Sequence, residues 1–208
     1  MNRMSRLDEQ WQTIMASHAN SRMSYTQIGP REFRILVLYP GEPTDAIIGH
    51  IVRQDLDHIV QDYTALSYTW GDVNKTAAIR CIIDDRIPLK SGASRSEDYD
   101  AGELQVTENL LGALQRFRRR DEMTALWVDA ICIDQGNVEE RNQQVQIMGE
   151  IYGRALKTAM WLGEAADDSD EGFKLIEELF AARRPDGISV VGKPTHELES
   201  RVMSPCMT

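Results

Sequence analysis

Apolar positions along the chain fall into short blocks whose period changes, and each change marks an element. Between residues 4 and 16, Leu7, Trp11, Ile14 and Met15 recur at i, i+4, i+7 and i+8, one stripe of an amphipathic helix. A polar linker, SHANSRMSYTQIGP, then leads into FRILVLYPG, a compact apolar run closed by a Pro-Gly turn signal. This predicts a strand over residues 33–38. A second strand over 47–53 is expected to pair with it antiparallel, with PGEPTD as the connection.

From Tyr63 onward, strand-like runs alternate with helix-like ones. YTALSY is a strand ending in Thr69, Trp70, Gly71 and Asp72, and AIRCII with DDRIPL reads as a hairpin. The stretch SGASRSEDYDAGE is poor in apolar residues and reads as an exposed loop. Thr107 can cap a helix carrying Leu110, Leu111, Leu114 and Phe117, with Val106 stapled to Leu111. Its basic end, RFRRR, suits the helix dipole and reads as a solvated terminus. ALWVDAICI has the near-continuous apolarity of a strand buried on both faces. Asn137 with Glu140 resembles a capping box, opening a helix to about Arg154 with Val138, Val145, Met148 and Tyr152 on one face. LKTAMWLG is the next strand. Asp168 with Glu171 opens a further helix bearing Phe173, Ile176, Leu179 and Phe180, and ISVV is at most a short strand. The alternation predicts an α/β fold with a parallel sheet and right-handed crossovers.

In such sheets ligands bind outside the carboxyl ends of the strands. Applied here, the rule gathers Trp70, Gly71 and Asp72 from the first core strand, Asp129, Asp134 and Gln135 from the second, and Trp161, Gly163 and Glu164 from the third. Helix starts near Asn137 and Asp168 would add N–H donors able to receive an anion. Clustered carboxylates permit magnesium binding. They equally permit one carboxylate to stabilise the positive charge on a ribose as its glycosidic bond breaks, with an aromatic ring stacked on the leaving base. Each residue also has a structural use. Asp129 can bond a neighbouring loop, Trp70, Trp127 and Trp161 can pack, and Glu139, Glu140, Arg141 and Glu171 can serve helix caps. Cys132 follows a buried strand with no His nearby in sequence, which speaks against a nucleophile.

Composition narrows the classes. With 23 Lys plus Arg against 33 Asp plus Glu, the net charge of −10 argues against nucleic acid and anionic membrane as partners. Cys81, Cys132 and Cys206 are odd in number and widely spaced, without a C-x-x-C pair, so neither a disulfide scaffold nor a zinc site is expected. The first residues lack a signal-peptide core and no apolar run is long enough to span a bilayer, which suggests a cytoplasmic protein. The ending RVMSPCMT carries no stop pattern and suggests a piece of something longer.

Three blocks, YTALSYTWGD, LWVDAICIDQGNVEERNQQVQIMGEIYGRA and AMWLGE, closely resemble successive signatures of the fungal heterokaryon incompatibility (HET) domain. The resemblance runs from about Tyr63 to Phe180, with FRILVL and IIGHIVR typical of its lead-in. Asp134 stands where the family usually has Asn, and residues 91–103 look like an insertion. The resemblance implies a cytosolic effector of non-self recognition and programmed cell death, acting by self-association or with other incompatibility proteins. The division it implies is an N-terminal helix and linker over 1–24, lead-in strands over 25–62, a HET core over 63–183 and a tail over 184–208. HET domains are in turn similar to TIR domains, which implies a flavodoxin-like parallel sheet flanked by helices, with an N-terminal helix and β-strand elaboration. Because some TIR domains cleave NAD with a glutamate after the third core strand, Glu164 and Glu171 become candidate catalytic residues. NAD would then be a substrate rather than a cofactor, with Trp70 or Trp161 lining the base pocket. A receiver-like, magnesium-binding domain using Asp72, Asp129 and Asp134 is the remaining alternative; no Walker-type loop supports it.

Overall fold

The computed structural model describes residues 25–84, 100–164, 169, 171, 172, 174, 175, 178, 189 and 190. The helix expected over 4–16, the DDRIPL arm beyond Asp84, the cap at Asp168, the face carried by Phe173, Ile176, Leu179 and Phe180, and Cys206 lie outside them.

Among the described residues, eight strands form one sheet. In chain order they are β1 (Glu32–Leu38), β2 (Ile48–Asp55), β3 (Thr64–Tyr68), β4 (Thr76–Asp84), β5 (Asp100–Thr107), β6 (Thr124–Trp127), β7 (Lys157–Trp161) and β8 (Ser189–Val190). Across the sheet they run β5-β4-β2-β1-β6-β3-β7-β8. The expected antiparallel pairing of β1 with β2 is present, with Leu36 opposite Ile51. On its other side β1 pairs antiparallel with β6, with Leu36 opposite Leu126. Parallel ladders join β2 to β4, β6 to β3, β3 to β7 and β7 to β8, and β5 runs antiparallel to β4.

The sheet is therefore mixed: the expected parallel core is present, and the lead-in strands and the β4–β5 pair continue the same sheet. Since β1 opposes both of its neighbours, β2 and β6 point the same way. Six strands share one direction, and only β1 and β5 oppose it. The long apolar run of β1 fits this interior place: from Phe33 to Leu38 every position is buried, so both faces are covered.

Helix α1 (Glu108–Phe117) begins where expected, with the Thr107 hydroxyl accepting from the Leu110 amide at 3.3 Å. The strand feeding it was not foreseen. Asp100–Glu103, expected as the end of an exposed loop, belong to β5, which takes the place beside β4 given to DDRIPL. ALWVDAICI is also shorter as a strand than expected. β6 stops at Trp127, and Asp129–Cys132 form a helical turn, α2, closed by the Cys132 amide on the Val128 carbonyl at 2.7 Å.

Helix α3 (Val138–Arg154) starts at Asn137, whose side chain accepts from the Glu139 and Glu140 amides. Its inward stripe is Glu140, Gln144, Ile147 and Ile151, while Val138 and Val145 are exposed. Apolarity alone had located that side only in part: Met148 and Tyr152 pack against the core as expected, but two of the buried positions are polar. Gln144 Nε2 donates to the Glu32 carbonyl at 2.7 Å, and Glu140 meets a buried arginine. The basic end of α1 is likewise not wholly solvated. Arg118 is buried and donates to the carbonyls of Glu42, Asp45 and Ala46, clamping the β1–β2 connection.

The four strands β6-β3-β7-β8 deserve separate notice for their direction. All are parallel, and β3, the first of them in the chain, sits between β6 and β7, the second and third. The chain leaves β3 toward one side and returns to the other, so the carboxyl ends of β3 and β7 diverge at a topological switch point.

Candidate functional site

The switch point is built by one side chain that sequence reasoning missed. Asn109, in the first turn of α1, donates from Nδ2 to the Thr69 carbonyl at 2.5 Å and to Thr69 Oγ1 at 3.2 Å. Its Oδ1 accepts from Trp161 Nε1 at 2.9 Å. One carboxamide thus ties the end of β3 to the end of β7. The signal was an Asn two residues after a cap, where a poor helix former has a reason to be if its amide serves the loops outside.

Gly71 and Gly163 shape the two loops so joined, with φ of +73° and +104°. A Cβ on Gly71 would lie 3.0 Å from Asn109 Cβ, so the β3 loop could not approach the helix with another residue there. Trp161 is nearly buried, and Trp70 is about half exposed. Of the two indoles expected to line a pocket, only Trp70 offers an open face. Trp127 is wholly buried and meets the Tyr152 ring edge-on at 5.2 Å.

Asp129 opens the α2 turn rather than lying inside a strand. Its carboxylate accepts from the Ala130 amide at 2.7 Å and from the side chains of Tyr68 and Trp70. Burial raises its pKa above the ordinary value, and these three donors act against that shift by favouring the ion. Tyr68 is raised in turn, first by burial and then by the adjacent Asp129 charge. Gln135 Nε2 donates to the Asp129 carbonyl at 2.8 Å, closing the turn on itself.

The other aspartates serve turns. Asp72 Oδ1 accepts from the amide and side chain of Asn74, at 3.0 and 3.1 Å, and Asp134 Oδ1 accepts from the Gly136 amide at 2.9 Å. Among the described residues no three His, Cys, Asp or Glu side chains gather as a metal would need, so Asp72, Asp129 and Asp134 do not form a shared cation site. Cys132 is buried and its thiol is pushed up to about 12 by desolvation, which keeps it protonated.

Glu164 and Glu171 differ in placement. Both are exposed. A Cβ added at Gly112 on α1 would meet Glu164 Oε1 at 3.5 Å and Trp161 Cζ2 at 3.6 Å, so Glu164 lies against α1 beside the indole that Asn109 holds. Glu171 is helical and has no bond to these rim residues among the described ones. The rim that results carries Tyr68, Trp70, Asn109, Asp129, Trp161 and Glu164, an acidic and aromatic edge on the carboxyl side of three parallel strands.

Comparison with known proteins covers much of this region. Residues 63–200 match the family described as heterokaryon incompatibility protein (HET). A curated relative, heterokaryon incompatibility protein 6, OR allele, of Neurospora crassa, is 37% identical over 122 residues. That stretch is 56% of this chain and 16% of the relative, so the chain spans only a small part of the protein it matches. No solved structure matches the chain. Among the described residues no helix is long and apolar enough to cross a membrane.

Proposed function

From the premise that the chain belongs to the heterokaryon incompatibility (HET) family, we propose that it is a cytoplasmic effector domain of fungal non-self recognition, triggering growth arrest and programmed cell death through self-association. The observation that carries this reading is the family match over residues 63–200, supported by an incompatibility protein among its relatives. A flavodoxin-like, TIR-like core agrees with the order β6-β3-β7-β8, which becomes 2-1-3-4 when the four parallel strands are numbered along the chain.

The position of Glu164 favours a second, enzymatic version. An exposed carboxylate beside Trp161, across the switch point from Trp70, suits NAD cleavage. In that reaction the bond from ribose C1′ to the nicotinamide nitrogen breaks, the electron pair leaves with nicotinamide, and Glu164 stabilises the oxocarbenium-like ribose until water adds at C1′ and gives up a proton to solvent. Among the described residues Glu171 shows no contact with this rim.

The test expresses the wild-type chain, Glu164→Ala and Glu171→Ala in a filamentous fungus, with colony growth and cellular NAD followed together. Purified protein, dilute and concentrated, is incubated with NAD and assayed for nicotinamide. The expected result is arrest by wild type and Glu171→Ala, with NAD loss abolished by Glu164→Ala. Arrest by Glu164→Ala with NAD unchanged in every strain eliminates the enzyme and leaves self-association. Absence of arrest with all three overturns the effector reading itself.

A further inference from the structure

A polar cluster lies behind the rim, and its bonds converge on one short stretch of main chain. Arg34, in the interior strand β1, is fully buried and pairs with buried Glu140 of α3 through contacts of 2.6 and 3.1 Å. Arg34 Nη1 also donates to the Cys132 carbonyl at 3.2 Å, and Nη2 to the Thr26 carbonyl at 2.5 Å. The Arg34 guanidinium stands over the Tyr25 ring, 4.9 Å from its centroid, and the Tyr25 hydroxyl donates to the Ile131 carbonyl at 2.7 Å. Glu140 Oε1 accepts in addition from the Asp134 amide at 2.8 Å. Three side chains from outside the turn therefore grip Ile131, Cys132 and Asp134, three of the five residues between Asp129 and Gln135.

A buried ion pair is a poor source of stability compared with an apolar replacement, so its retention calls for another use. Here the use is directional. A planar guanidinium and a carboxylate fix bond angles that Leu or Met would leave free. The 129–135 turn closes through local bonds, the Cys132 and Ile133 amides to the Val128 and Asp129 carbonyls and Gln135 to the Asp129 carbonyl, and it buries Ile131, Cys132 and Ile133. The bonds from Arg34, Glu140 and Tyr25 add direction from outside it. We propose that Arg34, Glu140 and Tyr25 are positioning residues of the rim: they set the 129–135 turn and, through it, the Asp129 carboxylate that holds Tyr68 and Trp70. Two of the three lie upstream of the family match at 63–200, so the rim is completed by a segment the family match does not include. Only the catalytic consequence rests on the NAD reading above; the positional claim stands apart from it.

The test uses the full chain labelled with 15N. Tyr25→Phe removes only the hydroxyl that reaches Ile131, and Glu140→Gln keeps the side-chain shape while removing the charge. The expected result is a shift of the Trp70 indole N–H and of the Ala130 and Gly136 amides. In Glu140→Gln these amides should exchange with solvent about tenfold faster, as loss of a charge-assisted bond implies, while amides in β2 keep their wild-type rates. Tyr25→Phe should give the same pattern at smaller amplitude. Where wild type releases nicotinamide from NAD, Glu140→Gln should lower kcat/KM by about the same factor. Folded variants whose Trp70, Ala130 and Gly136 signals coincide with wild type overturn the proposal. Should Glu140→Gln not fold, Tyr25→Phe decides by the same signals. A wild type that leaves NAD intact sinks the glycohydrolase reading alone, and the resonances still decide this one.

Discussion

Asp129 is held between opposing forces. Burial disfavours its charge, while the Ala130 amide and the Tyr68 and Trp70 side chains stabilise it, and burial prevails. A carboxyl raised in the folded state binds its proton more tightly there than in the unfolded chain, so it subtracts stability as pH rises from the ordinary carboxylate range through the folded pKa. Asp129→Asn, neutral at every pH, should therefore be more stable than wild type at pH 7, with the advantage shrinking as pH falls through that range. Urea unfolding of both proteins at neutral and acidic pH measures it; an advantage that grows on acidification has the wrong sign. Residues of this kind were partly legible. An Asp in the apolar run ALWVDAICI and an Arg in FRILVL are each a charge in a buried setting, which demands a partner. That Arg34 finds Glu140 and Asp129 finds Trp70 depends on packing between distant segments, which no local pattern encodes. Asn109 was overlooked because a polar residue in a first helical turn looks like ordinary surface.

Among elements, helix starts were the most legible, because a cap is a local bond between neighbours in sequence. Thr107 and Asn137 both cap as expected, although Glu140 turns inward to Arg34 and the Asp134 amide and does not close a capping box on Asn137. Replacing Thr107 by Ala should cost about 1 kcal/mol, the usual value of a lost N-cap. Thermal or urea unfolding checks this, and an unchanged midpoint would mean that packing against β4 and β5, not the cap, sets the start of α1. Strand length was less legible. The run after Ala125 stays apolar through Ile133, yet the chain turns into α2 after Val128, since a short apolar run can be strand or buried helix with the same composition. The inward face of α3 was read only in part, Met148 and Tyr152 correctly and Val138 and Val145 not, for a related reason. Hydrophobicity identifies the buried side only when buried positions are apolar, and here an ion pair and an amide occupy two of them.

At the scale of the molecule, the segments before Tyr63 are an interior part of the sheet. β1 lies between β2 and β6, and its residues contribute to the same core as β3, β6 and α3. The α/β class and the strands other than β5 were readable from periodicity. Their order was not, because β1 and β6 meet across most of the described chain and nothing local announces the pairing. One consequence is testable: β1, β2 and β6 should lose amide protection together, in the same unfolding transition as β3 and β7, when hydrogen exchange is followed in increasing urea. Earlier release of β1 and β2 would mark them as a separable unit.

The central place of β1 also bears on how the protein is made. As the chain emerges from the ribosome, β1 and β2 can form their hairpin at once, but Leu36 must wait for Leu126 before its second edge is covered. Through that interval a largely apolar strand stands with open main-chain groups, the condition under which nascent chains stick to one another. The same late-arriving residues, Thr124 to Trp127, lead directly into the Asp129 turn. Closure of the hairpin's open edge and assembly of the rim are thus one event in synthesis, and a nascent chain halted before it has neither.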